Sequence, residues 1–497
     1  CYNFYHNSDN SGMAVMKIIL LLIFFSAVCH NIFASDDQCI ACHEAIGDDA
    51  ALKFKDDIHF KKGISCADCH GGDKRSDDQE IAMGTKNFIG APKGNLISDI
   101  CAKCHSSRVI MKKYGSDLPV NQFSQLESSV HGKFSIDAKE RIVQCITCHN
   151  AHGIVHAKDP KSPVYALNVI STCSKCHSNS VYMRKYNPSL PIDQLEKYRT
   201  SIHGILNAKG NIKTAECANC HGSHDIKSAD DVNSKVYATH LPGTCASCHS
   251  NKDYMKEYNI PTDQFEKYSS SVHGIALLQK NDLNAPACND CHGNHGAIPP
   301  GVESISKVCG TCHVLNAELF SSSPHKKAFD SEDLPECETC HGNHAIINSS
   351  EKLLGTNSAA VCSKCHAENK GVKGYYSAKI MRNLMDSLNF EEKRAILLID
   401  DAEQKGMEVS EAKFKLRDLH QAKLELRTTI HSFNEDKFRQ AATIKGLAVS
   451  GEIIKEADKA IDEYYFRRLG LGAATLIISI VVITLYLIIK RRESTEV

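Results

Sequence analysis

Residues 217–224 read Cys217-Ala218-Asn219-Cys220-His221-Gly222-Ser223-His224, and their first five positions, Cys-x-x-Cys-His, occur eleven times in this 497-residue chain. The cysteine pairs are Cys39 and Cys42, Cys66 and Cys69, Cys101 and Cys104, Cys145 and Cys148, Cys173 and Cys176, Cys217 and Cys220, Cys245 and Cys248, Cys288 and Cys291, Cys309 and Cys312, Cys337 and Cys340, and Cys362 and Cys365. The histidines that follow them are His43, His70, His105, His149, His177, His221, His249, His292, His313, His341 and His366. Two thiols on adjacent faces of one turn add across the two vinyl groups of a haem, and the next histidine is left facing the iron. Zinc sites and disulfides also use Cys-x-x-Cys. With 26 histidines in 497 residues, however, chance does not place one directly after every motif, so the spacing reads as eleven covalent haem c sockets. Cys1 and Cys29 lie ahead of the first motif, in a segment expected to be removed.

Working outward, residues 222–224 belong to a longer repeat. Ile110-Met-Lys-Lys-Tyr114 leads to Ser129-Val-His131-Gly132, Tyr182-Met-Arg-Lys-Tyr186 to Ser201-Ile-His203-Gly204, and Tyr254-Met-Lys-Glu-Tyr258 to Ser271-Val-His273-Gly274. Asp193-Gln-Leu-Glu-Lys-Tyr198 recurs as Asp263-Gln-Phe-Glu-Lys-Tyr268. The expectation is about five two-haem units. Ser-x-His-Gly and its looser variants supply His59, His131, His203, His273 and His325 as distal iron ligands; the Cys-His-x-x-His context supplies His152, His224, His295 and His344. In the latter context the first histidine is already tied to its own iron, so the second, on the same face of a short helix, must reach a neighbouring haem. Nine distal candidates leave two irons to be served by His156, His240, His420 or His431, of which His431 is favoured because it stands at a helix hinge. Met111, Met183 and Met255 recur beside aromatic residues and read as packing. Paired imidazoles predict low-spin haems of low potential.

The ends of the chain set the compartment. Lys17, the apolar run Ile18 to Val28 and the small residue Ala34 have the layout of a secretory signal peptide. Leu469 to Ile489 carries no charge and as a helix would reach about 31 Å, the thickness of a bilayer core. The expected order is therefore upstream residues and signal peptide over 1–34, a haem domain over 35–366, an α-helical stalk over 367–468, a transmembrane helix over 469–489 and a cytoplasmic tail over 490–497. The haems are expected in the periplasm, tethered to the cytoplasmic membrane. Formal charge is −1, so the protein alone suggests no nucleic-acid partner, although haem propionates would make the loaded domain acidic.

Roughly thirty residues per motif is below what builds a self-sufficient apolar core, so haem must serve as the core of this region. The fold class expected is mostly α with extensive loops, a multihaem array organised by covalent haem, followed by a helical stalk and one C-terminal transmembrane helix. All thirteen prolines precede residue 336, and cysteine and proline vanish after residue 366. Ser377–Gln404 and Ser410–His431 read as amphipathic helices, the first stopped by Gly406 and the second carrying Ala412, Leu416, Leu419, Leu426, Ile430 and Phe433 on its stripe. Ser432 and Glu435 read as a capping box opening a third helix.

These residues resemble the periplasmic multihaem cytochromes c with paired Cys-x-x-Cys-His repeats of anaerobic respiratory and metal-reducing bacteria. The resemblance covers residues 39–366. It implies electron transfer between a membrane quinol-oxidising or cytochrome b-type subunit and periplasmic or extracellular acceptors, with haem inserted by the cytochrome c maturation machinery. The competing expectation is a terminal reductase or oxidase of a small nitrogen or sulfur oxyanion using one open haem. Asp73, which stands where the first unit lacks its second histidine, keeps that reading open at the start of the array. A structural or metal-storage protein is the third class; no nucleotide-binding glycine loop or serine-histidine-acid arrangement stands out.

Overall fold

The computed structural model describes residues 37–135, 139–301, 305–368 and 372–495. The signal sequence expected over residues 16–34, with Cys1 and Cys29, lies outside them. The chain divides into two compact units, one comprising Cys1–Cys245 with Gly293–Ile298 and the other Ala246–His292 with Pro299–Val497. Helices, turns and loops make up the described residues, which hold no strand and one isolated bridge, Phe134 to Arg141.

Two kinds of motif helix alternate. The third and fifth motifs end longer helices, Leu96–His105 and Val169–His177, whereas the second, fourth and sixth are single five-residue turns, Cys66–His70, Cys145–His149 and Cys217–His221. In these short turns the third position, the second variable place of the motif, caps the helix. Asp68, Thr147 and Asn219 accept the backbone N–H of Ser65, Gln144 and Glu216 at 2.7, 3.2 and 2.8 Å, and in the other unit Asp290 accepts that of Ala287 at 2.7 Å. A five-residue helix leaves most of its N–H groups without internal partners, so such a cap decides whether it forms.

The chain then leaves each short turn with positive φ, at Gly71, Gly222, Gly293 and Gly342. A Cβ on Gly71 would lie 1.8 Å from the Asn87 carbonyl oxygen. The positive φ, shared by Gly222, Gly293 and Gly342, explains the glycine of Cys-His-Gly-x-His. Asn150 occupies the same place with φ 67° and ψ 168°, a region that essentially only glycine enters without strain.

The Ser-x-His-Gly segments are built equally tightly. Ser129, Ser201 and Ser271 are buried, and their Oγ atoms accept the N–H of Gly132, Gly204 and Gly274 at 3.1, 2.9 and 3.0 Å. A Cβ on any of the three glycines would fall about 2 Å from the carbonyl oxygen of Leu126, Tyr198 or Tyr268. Tyr198 and Tyr268 in turn donate their hydroxyls to Ala215 O (2.9 Å) and Pro286 O (2.8 Å), two residues before a motif cysteine. In the first repeat Asp57 replaces the serine, is buried, and accepts the N–H groups of His59 and Ile154 at 2.9 and 2.8 Å.

A recurring backbone bond joins successive repeats. The N–H preceding the Ser-x-His-Gly-type histidine donates to the carbonyl two residues after a Cys-His-x-x-His histidine: Ile58 to Ile154 (2.7 Å), Val130 to Ile226 (2.9 Å) and Ile202 to Ala297 (3.2 Å) in the first unit, and Val272 to Ile346 (3.0 Å) in the second.

The apolar core lies elsewhere. Met385, Leu388, Ile399, Leu419, Leu426, Phe438 and Ile453 are fully buried together where the helices Val372–Gln404, Ser410–Thr429 and Ala448–Glu493 pack. Gly406, at φ 73°, follows the first of these as expected. The second helix ends at Thr429 and continues as a 3-10 turn over Ile430–Ser432. The expected capping box does not form. Phe433 turns left-handed (φ 47°), which makes Asn434 the cap, accepting the N–H of Lys437 at 3.0 Å, while Glu435 accepts from Ser377 and Arg439. The last helix carries a segment of mean hydropathy 2.6 with no part buried, the one helix among the described residues long and apolar enough to cross a membrane.

Relieving the strain at residue 150 should stabilise the protein. Asn150→Gly is expected to gain about 1 kcal/mol, the usual cost of such a backbone conformation less the entropy of the added glycine. A raised thermal midpoint of the haem-loaded chain would show it; a lowered one would count against the backbone reading.

Candidate haem centres

The histidines singled out by recurrence stand opposite motif histidines. In the first unit the ring centres of His59 and His105 are 6.0 Å apart, of His70 and His152 6.0 Å, of His131 and His177 6.1 Å, of His149 and His224 6.1 Å, and of His221 and His295 6.0 Å. In the second unit the pairs are His273 and His313 (6.2 Å), His292 and His344 (5.9 Å), His325 and His366 (5.8 Å), and His341 and His431 (6.1 Å). An imidazole nitrogen lies roughly 1.1 Å from its ring centre and binds a transition metal at about 2 Å, so two imidazoles on one metal stand about 6 Å apart. Rings in van der Waals stacking would be closer. The gap has the width of one metal ion.

The pairing obeys a rule. The histidine at the tail of each short motif turn serves the short motif two places earlier: His152 faces His70, His224 faces His149, His295 faces His221 and His344 faces His292. The Ser-x-His-Gly-type histidines face the other way along the chain, His59 to His105, His131 to His177, His273 to His313 and His325 to His366. The repeats thus exchange imidazoles in both directions, and the backbone bonds described above clamp the two exchanging segments together. His203 opens the helix Ile202–Ala208 under the Ser201 cap, the position equivalent to His131 and His273.

This rule corrects the expectation attached to Asp73. A histidine there would serve a motif two places before the second, and the sequence has none, so Asp73 marks no open iron. Its carboxylate instead accepts the N–H of Arg75 at 3.0 Å. Met111, Met183 and Met255 are buried as packing. His420 is largely exposed, 3.6 Å from Glu392. His156 accepts the Lys158 N–H, and the His240 ring bonds to Ser234 O. Of the four spare histidines only His431 faces a motif histidine among the described residues.

Burial keeps these imidazoles in the form that binds metal. It lowers the affinity for protons of His105, His149, His177, His221, His224 and His341, and holds His131 down to about 4. A neutral imidazole offers its lone pair. The surroundings also fit haem. Gln122, Gln194 and Gln264, at one repeat position, each bury an amide oxygen without a hydrogen-bond partner. Such an amide can turn its NH2 outward to meet a carboxylate such as a haem propionate.

Motif order in space follows motif order in the sequence within each unit. Asp37 accepts the N–H of Cys39 (3.1 Å) and of Cys66 (3.4 Å), joining motifs one and two. Cys69 lies in the field of Cys104, the thiols of Cys101 and Cys145 meet, Cys148 neighbours Cys176, and Cys173 meets Cys217. In the second unit His249 neighbours His292, Cys291 neighbours Cys309, Cys309 meets Cys337, and Cys340 neighbours Cys362.

Comparison with known proteins agrees with this chemistry. Residues 58–178 match the Cytochrome c3 family, residues 328–371 the Doubled CXXCH motif family, and residues 26–71 the Cytochrome c554 and c-prime family. The chain is a multihaem c-type cytochrome. It is similar to the C-type polyheme cytochrome OmcC of Geobacter sulfurreducens, at 22% identity over 300 residues that make up 52% of this chain and 37% of that protein. The chain thus matches little more than a third of that relative's length. No solved structure matches.

Ring planes divide the cytochrome's imidazole pairs. His70/His152, His149/His224, His221/His295 and His292/His344 lie within 12 to 17° of parallel, whereas His59/His105 and His325/His366 cross at 89 and 84°. Parallel imidazoles split the two iron orbitals they overlap, and crossed ones leave them nearly equal. Electron paramagnetic resonance of the oxidised protein should therefore contain a rhombic low-spin signal and a separate, strongly anisotropic one. His59→Met should weaken the second and His152→Met the first; a single signal class would contradict the ring geometry.

Proposed function

We propose that this cytochrome is a membrane-anchored electron-transfer protein of the periplasm, carrying about eleven c-type haems, mainly bis-histidine, between a quinol-oxidising or cytochrome b-type membrane subunit and periplasmic or extracellular acceptors. Electron transfer itself follows from the family; the haem number, direction, partners and location are the reading offered here. The observation that carries it is the unbroken succession of neighbouring motifs within each unit, Cys39 through Cys217 in one and His249 through Cys362 in the other. Bound haem supplies a one-electron couple whose potential its axial ligands set. The residues do the rest: cysteines fix the ring, histidines from adjoining repeats fix the sixth ligand, and the close spacing of the motifs keeps each hop short.

The distal ligands proposed are His59, His131, His152, His203, His224, His273, His295, His325, His344 and His431. His203 is included on its repeat position. The apolar helix supports a membrane anchor, since Leu469 through Ile489 expose every large apolar side chain. Arg467 pairs with Glu463, and Lys490, Arg491 and Arg492 follow the span, as expected of helix ends at a membrane surface. One such helix offers little room for a quinone pocket, which favours a separate quinol-oxidising subunit.

A haem count on the purified chain should give eleven per polypeptide, and mixing the reduced protein with a ferric chelate should reoxidise all of them. His431→Met is expected to raise the potential of one haem and leave the others in place, because methionine-histidine ligation favours the ferrous state. A colourless or zinc-loaded chain, or a redox titration unmoved by His431→Met, would sink the assignment.

A further inference from the structure

Nine motif histidines other than His43 each face a second imidazole about 6 Å away. Among the described residues no histidine ring faces His43. Its surroundings differ in a second way. Its Nδ1 lies 2.8 Å from Asp48 Oδ2, so the acceptor is a carboxylate. His70, by contrast, donates to the Gly90 carbonyl at 2.7 Å.

Asp48 is held rigidly for this contact. Its other oxygen accepts the N–H of Ala50 at 3.0 Å as the cap of the helix Asp49–Phe54, and its own N–H donates to His43 O at 2.9 Å. The ring is therefore fixed in one tautomer, with Nδ1 donating and Nε2 left as the metal-binding nitrogen. A carboxylate on Nδ1–H makes an imidazole a stronger donor. His59 also meets a carboxylate, Asp57 at 2.9 Å, but it faces His105 and so belongs to a complete pair.

We propose that His43 holds the first haem iron alone, and that the opposite face binds a small π-accepting molecule through a carbon or nitrogen donor atom, of which carbon monoxide and nitric oxide are the simplest. Electron density pushed onto ferrous iron by the Asp48-backed imidazole is what such a ligand accepts. Asp48 acts through His43 and is a positioning residue. The second motif adjoins the first through Asp37, so the site lies at the start of one succession of motifs and can exchange electrons with it. This assignment rests on haem occupancy of the first motif.

The test uses the intact, haem-loaded chain, with haem counted on the same sample. After reduction, carbon monoxide should bind at about one equivalent per chain, seen in the Soret difference spectrum. Resonance Raman of the reduced protein should show one iron–histidine stretch, and Asp48→Asn should move that stretch to lower frequency while carbon monoxide still binds. Removing the first socket with Cys39→Ala and Cys42→Ala together should abolish carbon monoxide binding and leave the bis-histidine spectrum of the remaining haems. Eleven haems with no carbon monoxide binding, or binding whose stretch ignores Asp48→Asn, would overturn the site but leave the electron-transfer reading intact. A chain that holds no haem would overturn both.

Discussion

The paired histidines of the haem region answer one constraint: a motif histidine and an imidazole from a different stretch of chain must stand about 6 Å apart, the separation of two imidazoles that share one metal. With roughly thirty residues per motif there is no apolar interior to position that second imidazole. The chain meets the constraint by reciprocity. Each repeat lends one histidine forward and one backward, and the bond from the residue before the forward histidine to the carbonyl beyond the backward one fastens both loans at once. This is why the buried serine, the glycine against a carbonyl oxygen and the left-handed glycine after the motif recur together.

The stalk follows different physics. Its core of Met385, Leu388, Leu419, Leu426, Phe438 and Ile453 is apolar and needs no cofactor. The two regimes meet at the hinge after Thr429, within the second unit. There Phe433 packs on the His325 ring at 3.8 Å and His431 faces His341 at 6.1 Å. The left-handed turn at Phe433 brings both contacts to the same few residues. Folding of the haem region must accompany haem attachment, because binding free energy replaces the missing core; the stalk carries no such dependence.

Much of this was legible in the residues. Helical class, the haem motifs and the apolar terminal helix follow from period and spacing alone. Recurrence also separated the repeat histidines from the others. What recurrence could not supply is direction. The two-places-back rule for Cys-His-x-x-His depends on how repeats dock, and without it the absence of a histidine at Asp73 was open to misreading as a missing ligand. The capping role of Asp68, Thr147, Asn219 and Asp290 was visible as a polar residue at the second variable place of the motif. That place varies among Asp, Thr and Asn, so it lacks the constancy of the cysteines on either side. The Asn434 cap was displaced from Ser432 by a left-handed phenylalanine, a conformation no pattern announces.

The ring angles show which parts of the array are stiff. The backward-lent histidines sit three residues beyond the motif histidine, on turns that all exit through positive φ and of which those before His152, His224 and His295 share one cap, and their pairs all fall between 12 and 17°. The forward-lent histidines sit in unlike settings, His59, His273 and His325 on helices and His131 in a turn after one, and their pairs spread from 23 to 89°. Ring orientation shifts the energies of the iron orbitals, so the variable positions are where neighbouring haems can be made electronically unequal without disturbing the scaffold. The second, fourth, sixth and eighth motifs are held alike by construction. Tuning of the array therefore belongs to the segments that carry His59, His131, His273 and His325.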